Sequence, residues 1–191
     1  MTTTTHRVDW RSAMQVTVPE GKAGDAEVRR FNVNQNESAL SFINGRGRGI
    51  PAGTYTGLYR CGHLWMSDTP SEQRDHMDAL WESRRLKAER VLINGLGLGM
   101  VVAALLTMES VRHVDVVEID PDVIVLVGPH YEAMAAEAGK TITIHQGDAY
   151  TIRWAPGVAW DLAWHDIWPD LCIDNLPKMA KLHRRYGRRT R

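Results

Sequence analysis

The chain has 191 residues, about the length of one domain. Its 43% hydrophobic and 24% charged content excludes a disordered or collagen-like chain. Lysine plus arginine and aspartate plus glutamate number 23 each, so the formal charge is zero. That neutrality is uneven. Of the 23 bases, seven (Lys178, Lys181, Arg184, Arg185, Arg188, Arg189 and Arg191) lie in a tail without acids, leaving 16 against all 23 acids, a balance of −7. No apolar run nears the roughly 20 residues of a membrane span, and MTTTTHRVDW lacks the apolar core of a secretory signal. Cys61 and Cys172 are too few for a disulfide framework. The histidines have no metal-binding spacing, so no metal is expected. The expectation is a cytoplasmic protein without a membrane partner.

In chain order, Gln15 to Val18 and Val28 to Val33 read as strands, and Ser38 to Ile43 as a third. Gly45-Arg-Gly-Arg-Gly49, with Pro51 and Gly53, reads as a loop. Thr54 to Tyr59 is a further strand, with His63 to Met66 as its continuation. Ser67-Asp68-Thr69-Pro70 is a helix start, since a capping residue precedes proline in the first turn. Met77, Leu80, Trp81 and Leu86 then fall near helical spacing, which predicts one amphipathic helix over Glu72 to Leu86.

From Arg90 the pattern alternates. Val91 to Ile93, Val114 to Ile119, Thr141 to His145 and Trp160 to Asp166 read as strands. Helices are expected over Met100 to Met108, Asp120 to Ala138 and Leu176 to Tyr186. Such alternation implies a parallel sheet with right-handed crossovers.

The turn after the first of these strands is Asn94-Gly95-Leu96-Gly97-Leu98-Gly99. Glycine there allows a sharp turn and close approach of a ligand to the main chain, at a helix N-terminus with free N–H groups. Glu118 ends the next strand, about 20 residues on, where an acid can accept from ribose hydroxyls. Asp148 follows the third strand and could accept from an adenine amino group. The dinucleotide form G-x-G-x-x-G requires glycine where the chain has Met100, which disfavours a nicotinamide cofactor.

The segments VLINGLGLG, VDVVEIDPDVI, HQGDAY and WDLAWHDIW resemble the first four motifs of the class I S-adenosylmethionine-dependent methyltransferase superfamily. They are most similar to its spermidine synthase-like branch. The resemblance covers about Asp68 to Asp166. It implies an α/β fold with a Rossmann-like parallel sheet, short at its C-terminal end, over 71–191, preceded by an antiparallel β-rich segment over 1–70. It places Gly95, Gly97 and Gly99 against the methionine portion of S-adenosylmethionine, with Asn94 beside them in the cofactor set. It puts Glu118 on the ribose, Ile119 against the adenine, and Asp148 with Ala149 on the adenine amino edge. Asp166 takes the place of the synthases' catalytic aspartate. Gly62 to His76 is similar in position to the synthases' entrance segment, without its tyrosine-histidine-glutamate pattern.

The implied activity is methyl transfer to an unidentified acceptor. The alternatives are aminopropyl transfer from decarboxylated S-adenosylmethionine, or cofactor binding without turnover. A sulfonium has a neutral leaving group, so catalysis is mainly alignment, and a carboxylate such as Asp166 can orient an amine or hydroxyl and take its proton. Trp160, Leu162 and Trp164 would share one strand face and pack against a helix, while Trp168 would wall the substrate pocket. A small-molecule acceptor is expected, with the basic tail as a candidate contact for nucleic acid. The family's sheet has seven strands, and no candidates for the last three follow Asp166. The early β-segments, a second copy of the chain or a missing portion would then account for the open sheet edge.

Overall fold

The computed structural model describes residues 9–45, 48–168 and 175–190. Arg46 and Gly47 of the glycine-arginine loop, Cys172 and Arg191 lie outside them. The N-terminal half contains α1 (Trp10–Ala13), β1 (Gly21–Ala23), β2 (Ala26–Val33), α2 (Gln35–Asn44), β3 (Gly53–Arg60) and β4 (His63–Ser67). These strands make an antiparallel sheet in the order β1-β2-β3-β4.

Three expectations change here. Ser38 to Ile43 is helical, within α2, because Asn34 and Glu37 form a reciprocal cap: Glu37 N donates to Asn34 Oδ1 at 3.0 Å and Asn34 N to Glu37 Oε2 at 2.8 Å. Such a cap satisfies two amides that a helix start otherwise leaves free, outweighing a short β-prone run. Gln15 to Val18 joins no sheet; Val16 and Val18 are buried, and Val16 N donates to Asp68 Oδ2 at 3.2 Å. His63 to Met66 reverses direction rather than continuing β3, since Cys61 adopts positive φ in the turn and β4 pairs antiparallel with β3.

Next come α3 (Pro70–Asp75) and α4 (Met77–Leu86), two helices where one was expected, meeting at His76. Glu72, in the first turn of α3, reaches back to accept from Ser67 N at 2.7 Å and Ser67 Oγ at 2.6 Å. Only Leu80 of the expected apolar stripe is fully buried, and Trp81 is 59% exposed.

The second half follows the alternation: β5 (Arg90–Asn94), α5 (Met100–Thr107), β6 (His113–Glu118), α6 (Pro121–Glu137), β7 (Thr141–Gln146), β8 (Leu162–His165) and α7 (Leu176–Tyr186). These strands are all parallel, in the order β7-β6-β5-β8. That order matches the first four strands of a doubly wound sheet, whose direction of winding reverses between β5 and β8. The fold is therefore α/β with a Rossmann-like parallel sheet and a separate antiparallel sheet. The early strands pair with one another and do not extend the β8 edge.

Two cores hold the layers. The larger one joins Val28 and Leu58 of the antiparallel sheet to Val91, Ile93, Val114 and Val116 of the parallel one through α5, which is buried from Met100 to Leu106. At roughly 1.5–3 kcal/mol for each large apolar side chain removed from water, this helix is a main anchor of the fold. The smaller core lies on the opposite sheet face, where Leu182 and Tyr186 of α7 pack with Leu92, Val117 and Trp160. Trp160 thus does not share a face with Leu162 and Trp164, which pack against the larger core. It precedes the β8 ladder, held by Trp160 N donating to Arg189 O at 2.8 Å, so strand alternation does not reach it. The basic tail is accordingly a docked helix. Lys178, Lys181, Arg184 and Arg188 are exposed, while Arg189 Nη1 donates to Val158 O at 2.9 Å. No helix among the described residues is long and apolar enough to cross a membrane, and no side-chain group among them is arranged for a metal ion.

Candidate functional site

The carboxyl ends of β5, β6, β7 and β8 deliver Asn94, Glu118, Gln146 and His165 to one edge of the sheet. In an open α/β sheet the crevice at the reversal point, here between β5 and β8, is where ligands bind.

The glycine loop leaves β5 under tight constraint. Gly95 N donates to Val117 O at 2.8 Å, and Asp166 N donates to Asn94 O at 2.8 Å. Gly95 has φ +100°, and a Cβ there would overlap the carbonyl of Asp166. Glycine at this position is what allows the β5 and β8 exits to lie side by side. The same loop is approached at Gly99 by the ring of Tyr131, whose hydroxyl donates to Leu98 O at 2.7 Å, and at Gly97 by the thioether of Met66.

Glu118 is buried and braces this loop. Leu96 N donates to its Oε2 at 2.8 Å and Asp120 N to its Oε1 at 2.9 Å. Its neighbour Ile119 is 65% exposed and directly follows the end of β6. Asp148 Oδ1 accepts from Tyr150 N at 2.8 Å and shapes the turn after β7. Ala149 is buried, and its carbonyl accepts from the Tyr186 hydroxyl at 2.7 Å. The Asn94 side chain faces away from the loop, with Nδ2 2.6 Å from His165 Nδ1. The main chain of Asn94, rather than its amide, therefore borders the crevice.

Asp166 follows β8 directly, with a third of its side chain exposed. Burial raises its pKa above the ordinary carboxylate value, opposed by His76 and reinforced by Asp75. His76 Nδ1 lies 3.6 Å from Asp166 Oδ2, and the imidazole is buried. Asp75 in turn forms a two-pronged pair with Arg48. His165 points into the smaller core, near His183 and Tyr186. Burial, with His183 nearby, lowers its pKa to about 4 and keeps the ring neutral at neutral pH. Trp168 is half-buried and packs against the smaller core with Ile167.

Of these residues, Gly95, Gly99 and Asp166 line the cavity at the switch point, Glu118 braces the same loop, Gly97 faces Met66, and Ile119 and Asp148 follow the neighbouring strand ends. The side chains of Asn94 and Ala149 are turned inward. Met66 and His76 are additions that residue spacing did not signal, because they reach the site only by tertiary packing. Both belong to the Gly62 to His76 segment, and its position before the glycine turn was the one available hint.

No family model matches the chain, and no curated protein does. Among solved structures, a "putative O-methyltransferase" from Klebsiella pneumoniae is similar at TM-score 0.40 and 20% identity, over 62% of this chain and 50% of that one. The Δ1-pyrroline-2-carboxylate reductase of Thermococcus litoralis, solved with NADH and L-proline, gives TM-score 0.33 and 12% identity, over 73% and 51%. The chain spans about half the length of each. Neither lends support to the spermidine synthase-like branch. The fold rests on the sheet order described above.

Proposed function

We propose that the chain transfers a methyl group from S-adenosylmethionine to an acceptor hydroxyl or amine held beside Asp166. The observation that carries this reading is the convergence of the glycine loop, Glu118 and Asp166 on one switch point. The residues fit such a cofactor. Each carboxylate oxygen of Glu118 accepts one amide bond and retains capacity for a second, as ribose hydroxyls require. Ile119 offers an exposed apolar face beside it. The hollow at Gly97 holds the end of a flexible side chain, not backbone.

When bound, the sulfonium supplies an electrophilic methyl carbon and a neutral thioether leaving group. The chain's own task is then alignment and proton acceptance. The main chain of Asp166 is fixed by its N–H donating to Asn94 O, and the residue lines the cavity beside the loop. An acceptor O–H or N–H donates to Asp166 Oδ and passes its proton there as the bond to carbon forms. Partial burial strengthens the carboxylate as a base. His76 Nδ1 faces the same carboxylate at 3.6 Å.

Isothermal titration with S-adenosylmethionine tests the reading. The intact chain binds, and Ile119→Asp weakens binding at least tenfold without lowering the melting temperature, since Ile119 is exposed. Glu118→Ala weakens it as well, while also loosening the loop it braces. No binding by the intact chain would refute the proposal, and preference for the decarboxylated form would transfer it to aminopropyl chemistry.

A further inference from the structure

The third glycine-loop contact is unlike the other two. Gly95 meets a carbonyl and Gly99 a buried aromatic ring, both fixed parts of the fold. Gly97 instead meets the tip of Met66, where a Cβ would overlap both Sδ and Cε. Leu98 N donates to Met66 Sδ at 3.1 Å. A cavity of only about 10 Å³ lies among Met66, His76, Gly95, Leu96 and Asp166, the scale of one water.

The chemistry of this contact is poorly matched. Leu98 N lies just ahead of α5, whose N-terminus has no side-chain cap. An N–H there, with the helix dipole behind it, favours an anionic or carboxylate acceptor. A thioether is a weak acceptor. Methionine is also the long side chain most able to change rotamer, with three rotatable bonds and no branch. Its backbone stays put. Ser67 N is bonded to Glu72, and Asp68 Oδ1 accepts from Thr56 N at 2.7 Å. The side chain can therefore leave the loop without the strand moving.

We propose that Met66 sets the affinity of the glycine loop for its ligand, its thioether occupying the place of the ligand's methionine portion and being displaced when the ligand's carboxylate takes the Leu98 amide. This rests on the methyltransferase reading above. The free protein then has a filled site, and every binding event includes the cost of moving Met66 out, so the apparent affinity falls by the fraction of molecules with the loop open.

The test is isothermal titration of S-adenosylhomocysteine into the full chain and its Met66→Ala and Met66→Leu variants. Both substitutions remove the sulfur acceptor, and both are expected to bind more tightly, on the order of tenfold. In parallel, the wild-type chain labelled with 13C at its methionine methyls is titrated by NMR, the Met66 signal being the one absent from Met66→Leu. That signal moves to a solvent-like position as ligand is added. Equal or weaker binding by variants that remain folded overturns the inference and leaves the methyltransferase reading intact. An unmoved Met66 methyl on a wild-type chain that does bind overturns it too, even where a variant fails to fold. No binding by the wild type or either variant overturns the methyltransferase reading itself, and this inference with it.

Discussion

Asp115 offers the sharpest test of how the sheet is held together. It lies in the middle of β6 with its side chain 3% exposed, and five donor contacts converge on it. Arg90 Nη2 and Nε donate to Oδ2 at 2.8 and 3.1 Å, Trp160 Nε1 to Oδ2 at 2.8 Å, and His145 Nε2 bonds Oδ1 at 2.9 Å. His113 Nε2 stands 3.1 Å from Oδ2. Burial by itself would raise the carboxyl's pKa; the bonds from His145, Trp160, Arg90 and His113 overcome that and bring it to about 2 from an ordinary 3.8. A depression of that size corresponds to about 2 kcal/mol of stability, complete well above pH 4 and lost as the pH falls through 2. About half of it is gone by pH 3. Asp115→Asn keeps the shape but removes the charge, and turns an amide toward donors. At neutral pH it should cost on the order of 3 kcal/mol, as breaking a buried ionic network does. Urea unfolding of both proteins at pH 7 and pH 3, followed by tryptophan fluorescence, measures this. The gap between them should narrow by about 1 kcal/mol at the lower pH. A gap independent of pH, or a variant as stable as the parent at pH 7, would refute the reasoning.

Two further outcomes follow from the site. Gly95→Ala introduces a Cβ against the Asp166 carbonyl at φ +100°; it should cost on the order of 3 kcal/mol and lower the melting temperature by roughly 10 °C, so an unchanged melt would contradict the packing of β5 against β8. Asp166 has the opposite sign from Asp115: its pKa is raised on folding, so its ionisation opposes folding at neutral pH and ceases to do so as the group protonates. Asp166→Asn should therefore melt above the parent at pH 7, with the advantage shrinking toward pH 4, and an advantage that grew on acidification would show the direction to be wrong.

The parallel unit is legible in the sequence because its signals are local. Val91 to Ile93, the glycine turn, Asp120-Pro121 and the run through Leu176 to Tyr186 each carry their own periodicity or punctuation, and α7 matches the expected span. The acid at the end of β6 was legible for the same reason. The N-terminal half is less legible in the sequence. Ser38 to Ile43 is β-prone in isolation, and a cap contributed by Asn34 and Glu37 makes it helical. Glu72 to Leu86 has a helical rhythm, but its break at His76 has no breaker residue to announce it.

The even charge count of the whole chain says little about any one charge. Residue order determined the strand-helix alternation, the glycines that let a loop turn tightly, and the acids at the strand ends, because each depends on neighbours a few residues away. Tertiary structure alone decided that Asp115 would gather Arg90, His113, His145 and Trp160, and that Asp166 would stand against Gly95 with His76 behind it. It also decided that Met66, about 30 residues before Leu98, would reach into the glycine loop. Those contacts join segments whose separation along the chain carries no periodic signal, and they exist only once two sheets have closed over one apolar helix.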